Sequence, residues 1–197
     1  MIILSSYGFR SPVIAEKLKE HINPKNKKIL VVPFAGFNNQ STAVREINQG
    51  LVPFGFEMQN IYVCDNSTPK QYEEEIFDWI YIPGGDPFKL LKEAKETDIM
   101  PWLKNMVDRG TNYFGVSAGA DFTCEDISYL KSVEDCNYEL SDYKALSLIK
   151  NSKILCHVDQ RSFGIMQQVR DYDNRKSIFL RNDELYLLDY KIISDTK

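Results

Sequence analysis

The sequence predicts an α/β protein: an open, mostly parallel sheet with helices on both faces. Three observations lead there. Short runs that are apolar at nearly every position, such as Ile29-Leu30-Val31-Val32 and Trp79-Ile80-Tyr81-Ile82, suit strands buried on both faces rather than amphipathic helices. These runs alternate with segments carrying helical spacing and helix-start signals, the order that parallel crossovers produce. Two conspicuous turns, Pro83-Gly84-Gly85-Asp86 and Gly115-Val116-Ser117-Ala118-Gly119, follow directly on such runs, at the carboxyl ends where open α/β sheets bind their ligands.

The elements follow in order. Residues 1–5 form a short apolar strand. Ser11-Pro12 then pairs an N-cap residue with a first-turn proline, opening a helix to about residue 22 with Ile14, Leu18 and Ile22 on one face. Residues 28–33 are the second strand, followed by a helix near 42–50 and a strand over 57–63. A helix over 69–77 and a strand over 79–83 continue the alternation. Helices follow at 87–96 and about 101–110, and a strand over 113–116 stops abruptly at Ser117. Residues 123–151 carry no clear period. A strand over 153–157, a helix over about 163–173 and terminal strands between 177 and 194 complete the chain, with Asn182-Asp183 and Asp189-Tyr190 as turns.

The 197 residues fit one domain, 1–197, and neither a repeat nor a linker rich in Pro, Gly or Ser divides them. Hydrophobic residues make up 43% of the chain, enough for a sizeable core. The net charge of −4, from 24 basic and 28 acidic side chains scattered along the chain, supplies no basic stripe, so nucleic acid is not an expected partner. No apolar run reaches the roughly 20 residues that cross a bilayer, and Met-Ile-Ile-Leu lacks a basic leader and a cleavage site. A cytoplasmic protein without a membrane partner is the expectation, with Cys64, Cys124, Cys136 and Cys156 as thiols. The scattered cysteines and two histidines predict no metal site.

Gly115-Val116-Ser117-Ala118-Gly119 matches the Gly-x-Ser-x-Gly elbow, in which a serine sits on a strained turn between strand and helix. The Ala118 amide is positioned to donate to an oxyanion. A serine hydroxyl needs a base. Of the two histidines, His21 lies near the carboxyl end of a helix, where the dipole favours an imidazolium without further role, whereas His157 closes a strand and shares an edge with Ser117. Ser117 is the candidate nucleophile and His157 its base. A carboxylate should orient the imidazole, and Glu125, Asp126, Glu134, Asp135, Glu139 and Asp142 all lie between the two.

The chain resembles the peptidase E family of serine peptidases, whose fold is like that of class I glutamine amidotransferases. The resemblance rests on residues 28–35, on Tyr81-Ile82-Pro83-Gly84-Gly85-Asp86-Pro87-Phe88-Lys89-Leu90-Leu91, and on Gly115-Val116-Ser117-Ala118-Gly119-Ala120, with His157 at the expected distance. It implies a Ser117-His157 pair completed by Asp135, with Glu134 second. It also implies an oxyanion hole from the Gly85 and Ala118 amides, no metal or organic cofactor, and an aspartyl dipeptidase or a relative of cyanophycinase. Three departures stand out. Asp86 replaces the usual asparagine beside the oxyanion site, Cys156 replaces the proline before the histidine, and Gln167, flanked by Arg161 and Arg170, aligns with the arginine expected to grip a substrate carboxylate. The expected substrate is a short peptide or amino-acid amide, because only residues 123–151 and the turn 159–164 remain to build a pocket. Arg161 is placed to pair with a carboxylate and Arg170 is a second candidate. Two rival readings are an α/β-hydrolase esterase, for which the 40 residues from Ser117 to His157 are too few, and a non-catalytic binding protein of the same fold, for which Asp86 speaks.

Overall fold

The computed structural model describes residues 1–189. In chain order its elements are β1 (Ile2–Ser5), α1 (Pro12–Leu18), β2 (Ile29–Val31), α2 (Asn39–Glu46), α3 (Val52–Phe54), β3 (Ile61–Val63) and β4 (Trp79–Ile82). There follow α4 (Pro87–Glu96), α5 (Met100–Asp108), β5 (Asn112–Val116), α6 (Ala118–Asp121), β6 (Ser152–Leu155), α7 (Phe163–Asp171), β7 (Lys176–Phe179) and β8 (Leu185–Leu188). Six strands make one sheet in the order β3-β2-β4-β5-β1-β8, parallel throughout except for β8, which runs antiparallel to β1. The expected open, mostly parallel sheet with helices on both faces is what forms.

Alternate residues of the central strands point to opposite faces, and both faces are buried. Ile2, Leu4, Leu30, Ile80, Ile82 and Tyr113 pack with α4, α5 and α6. Ile3, Ile29, Val31, Trp79, Tyr81 and Phe114 pack on the other face with α1, Leu51 and Phe56. That double burial is why these strands are apolar without alternation. β3 lies at the sheet edge and is only half-buried.

Helix starts follow their caps. Ser11 accepts from the Ile14 amide, Asn38 from the Ser41 amide, and Asp86 from the Phe88 and Lys89 amides. The second helix therefore starts at its Asn38 cap, earlier than the apolar spacing suggested, and runs on through a wide turn at Ile47–Leu51. Residues 69–77 do not form the expected helix. They make turns only, because three successive glutamates leave no alternating charge along a helix face and Tyr72 and Phe77 are drawn edge-on against Tyr62. β6 joins β7 in a separate two-stranded parallel sheet, so the strand that ends near His157 lies outside the main sheet. The expected turn Asp189-Tyr190 and the strand beyond it fall largely outside the described residues. No helix among the described residues is long and apolar enough to cross a membrane.

The small sheet is tied down by a buried cation. Lys153, fully buried in β6, donates through Nζ to the Arg170 and Asp173 carbonyls at the end of α7 and lies 3.3 Å from Asp173 Oδ1. Asp173 also accepts from Arg175 Nε and Nη2, and these bonds, with Lys153, hold its carboxyl down to about 2 against an ordinary 3.8. The folded state thus favours the ionised form, and that contribution is complete above the ordinary value and lost as pH falls towards 2. Asp173→Asn should destabilise the protein at neutral pH by about 1 kcal/mol, allowing for the partial exposure of this carboxylate, or roughly 2–4 °C in Tm. The gap from wild type should close between about pH 4 and pH 2 in thermal melts; a gap constant across that range would remove the ion pair from the account.

Candidate active site

β5 ends at Val116, and Ser117 turns the chain into the single-turn α6 with φ 50° and ψ −113°. This is a strained conformation for a residue with a Cβ. Two contacts hold it. The Ser117 amide donates to the Ser5 carbonyl at the end of β1, 2.9 Å away, and α6 lies so close to β4 that a Cβ on Gly119 would sit 2.1 Å from the Ile82 carbonyl oxygen. On the β4 side the chain turns at Gly85 with φ 153°, where a Cβ would meet the Ala35 carbonyl oxygen at 2.0 Å. The next amide, Asp86, donates to that carbonyl at 2.8 Å. The Gly84-Gly85 turn lies directly beside Ser117, since a Cβ on Gly84 would stand 3.0 Å from Ser117 Cβ. Among the described residues, the Gly85 and Ala118 amides donate to no protein acceptor.

His157 follows β6 in a left-handed backbone conformation, φ 58° and ψ 34°. Its amide donates to Ser6 Oγ at 2.9 Å, and that hydroxyl donates to the Leu180 carbonyl at 2.9 Å, pinning the histidine to the carboxyl end of β1. The Tyr7 ring packs edge-on against the imidazole at 5.1 Å. Nε2 stands 3.1 Å from Ser117 Oγ, and Nδ1 stands 2.8 Å from Asn182 Oδ1. The amide oxygen can only accept, so Nδ1 carries the proton and donates to it, which leaves the Nε2 lone pair facing the serine hydroxyl. Asn182 arrives on the turn between β7 and β8, its own amide donating to Asp159 Oδ2 at 3.3 Å.

The model of peptidase family S51 matches residues 1–190. The chain belongs to that family. It is 35% identical over 114 residues to peptidase E of Actinobacillus pleuropneumoniae serotype 3, an alignment covering 56% of this chain and 45% of the relative. Against peptidase E of Shewanella denitrificans it is 30% identical over 126 residues, covering 62% and 52%. These alignments span about half the length of the curated relatives. Among solved structures, a Listeria monocytogenes EGD-e protein assigned to peptidase E superposes with a TM-score of 0.70 at 24% identity, covering 93% of this chain and 91% of that one. A peptidase from an acI-B1 actinobacterium superposes with a TM-score of 0.57 at 19% identity, covering 90% and 78%. Both likenesses are of fold.

Within this S51 chain the expected acids do not reach the imidazole. Asp135 is exposed, and Glu134 accepts from Arg161 Nη2 at 2.5 Å. Glu125 accepts from the Asn151 amide and Asp142 from Lys95 and the Lys144 amide, while Asp126 lies beside Arg175. The reason is topological. β8 begins level with Ser5, so the β7–β8 turn delivers Asn182 to the same edge. Asp86 caps α4, its Oδ1 accepting from the Phe88 and Lys89 amides. Asparagine performs that capping equally well. Arg161 donates through Nε to the Cys156 carbonyl, and Arg170 is exposed with its guanidinium 5.0 Å over the Phe179 ring. Gln167 donates to Asp171.

Sequence reasoning also missed Asp121, one helical turn after Ser117. It is 4% exposed, Oδ1 has no hydrogen-bond partner, and burial, reinforced by nearby Glu134 and opposed by Arg161, pushes its carboxyl well above the usual range. A cavity of about 630 Å³ opens farther along the same edge, at the ends of β2 and β3, lined by Phe37, Asn39, Val63, Asp65 and Lys89 but by none of the residues around Ser117.

The Ser117–His157–Asn182 relay makes a spectroscopic prediction. In ¹H–¹⁵N spectra of the imidazole, the wild-type protein should show His157 protonated on Nδ1 near neutral pH, and Asn182→Leu should abolish that single-tautomer pattern while Ser117→Ala keeps it. Protonation on Nε2 in the wild type would reverse the donor assignment.

Proposed function

We propose that this chain is a cytoplasmic serine peptidase or amidase that hydrolyses a short peptide or an amino-acid amide, with Ser117 as nucleophile and His157 as general base. The observation that carries the reading is the 3.1 Å approach of His157 Nε2 to Ser117 Oγ, with Nδ1 tied to Asn182. Family membership and the peptidase E relatives support it. Unpaired Cys64, Cys124, Cys136 and Cys156 suit a reducing compartment.

The chemistry runs in two halves. Nε2 takes the hydroxyl proton as Oγ bonds to the substrate carbonyl carbon, and the oxyanion accepts from the Gly85 and Ala118 amides. The imidazolium then gives its proton to the leaving amine as the C–N bond breaks, leaving an acyl-serine. Water, deprotonated by the same Nε2, adds to the acyl carbon, and the second tetrahedral species collapses to release the acid and restore the serine. Covalent catalysis of this kind needs no metal or organic cofactor.

Asn182 has a defined part in this scheme. Its amide oxygen selects the Nδ1–H tautomer but brings no negative charge to the imidazolium, unlike the carboxylate of a Ser-His-Asp triad. The non-catalytic alternative drew its support from Asp86, and the cap gives that carboxylate a structural role at α4.

A fluorophosphonate probe tests the reading. The wild type should be labelled at Ser117, Ser117→Ala should not be labelled, and His157→Ala should slow labelling by roughly the thousandfold or more typical of losing a triad member. Folded wild-type protein that stays unlabelled would sink the hydrolase reading. Asn182→Leu should slow labelling by about 10² or more, whereas Asn182→Asp, which adds the missing countercharge at the same atom, should hasten it by about tenfold. Equal rates for Leu and Asp would mean that position 182 does not act through the imidazole.

A further inference from the structure

We infer that Glu134 is the specificity-determining residue of this site, occupying Arg161 so that the unmodified protein discriminates against acidic substrates and prefers neutral ones. The inference rests on the reading of Ser117 and His157 as the reactive pair.

The argument starts from the guanidinium. Arg161 stands on the turn that follows His157, and its Nε donates to the carbonyl of Cys156, the residue immediately before the histidine. Cys156 in turn packs its Sγ 3.9 Å from the Ser117 carbonyl oxygen. The cation is therefore built into the wall beside the reactive pair. Its side chain is 18% exposed, and that of Glu134 is 29% exposed.

A guanidinium grips a carboxylate best with two parallel N–H bonds. On the side edge of Arg161, Nε is taken by the Cys156 carbonyl and Nη2 by Glu134 Oε1 at 2.5 Å. The end of the fork keeps an Nη1–H and the second Nη2–H, so a carboxylate that arrives there meets donors whose positive charge Glu134 already balances. Exposed Arg170, drawn over Phe179, adds no second cation in reserve.

Charge points the same way. Arg161 contributes one positive charge and Glu134 one negative. Asp121, buried behind the pair, is either protonated, as burial favours, or a second negative charge. The cluster is neutral or negative and never positive, so it repels a carboxylate or leaves it unattracted, and it tolerates an uncharged side chain or a substrate ammonium.

The test uses succinate as a dicarboxylate probe and isothermal titration calorimetry, which needs no turnover. Wild type should bind succinate no better than it binds uncharged succinamide. Glu134→Gln, which keeps shape and removes charge, should bind succinate at least tenfold more tightly than wild type, and Glu134→Gln with Arg161→Met should lose that gain. A pair that merely braces the fold would lower Tm in Glu134→Gln without creating dicarboxylate binding. Wild type that prefers succinate to succinamide by tenfold or more overturns the proposal, as does a folded Glu134→Gln with no gain. If Glu134→Gln does not fold, Glu134→Ala, which also removes the charge, replaces it under the same criteria. Labelling of Ser117 by the fluorophosphonate judges the hydrolase reading separately: labelled protein without the succinate switch refutes only the role of Glu134, and unlabelled protein refutes the reaction itself.

Discussion

The backbone of Ser117 is the constraint from which the rest of the site follows. A residue with a Cβ at φ 50° and ψ −113° costs about 1–3 kcal/mol unless its surroundings leave no alternative, and here they leave none. Its amide is bound to β1, α6 is pressed on β4 at Gly119, and the Gly84-Gly85 turn closes on the other side. The contacts come from the two strands that flank β5, β1 and β4, so the strain is maintained by the sheet and not by the turn. The same edge then fixes the histidine. Ser6, the first residue after β1, accepts from His157 and donates to Leu180, so one hydroxyl couples the main sheet to the small sheet that carries the imidazole.

Much of the fold was legible because its strands are buried on both faces. A strand such as β4 leaves no position for a charged residue, and its apolar run is visible without knowledge of its neighbours. Helices with a capping residue and an apolar stripe were legible too, as at Ser11 and Asp86. Residues 69–77 misled because helix propensity there is overridden by Tyr72 and Phe77 docking against Tyr62, a long-range contact without local signature. Sheet membership was equally hidden. Nothing in the composition of β6 tells that it pairs with β7 in a sheet of its own rather than extending the main one.

The site divides along the same line. Ser117 and His157, which the structure brings together, were legible as candidates because their local context is strong: a small-residue elbow in one case, and elimination among two histidines in the other. Asn182 was not found. The expected carboxylates lie between serine and histidine, whereas the group that meets Nδ1 is an amide beyond both, on a turn. One signal was available. A last strand antiparallel to β1 must begin at the carboxyl edge, which makes the residues just before it neighbours of the reactive pair.

What distinguishes this site electrostatically is that the nearby acids are already committed. Asp86 caps α4, Glu134 holds Arg161, and Asp159 takes the Asn182 amide. Asp121 lies too deep to ionise readily. Among the described residues, no carboxylate is hydrogen-bonded to the imidazole. In the proposed reaction, stabilisation of the reacting state therefore falls on fixed backbone donors and on the geometry that holds Nε2 against Oγ. Donors of that kind act on the carbonyl of any substrate residue, so they confer rate without selectivity. Selectivity has to come from the wall that a substrate side chain meets, and beside His157 that wall is the Arg161–Glu134 pair, whose charges cancel before any substrate arrives.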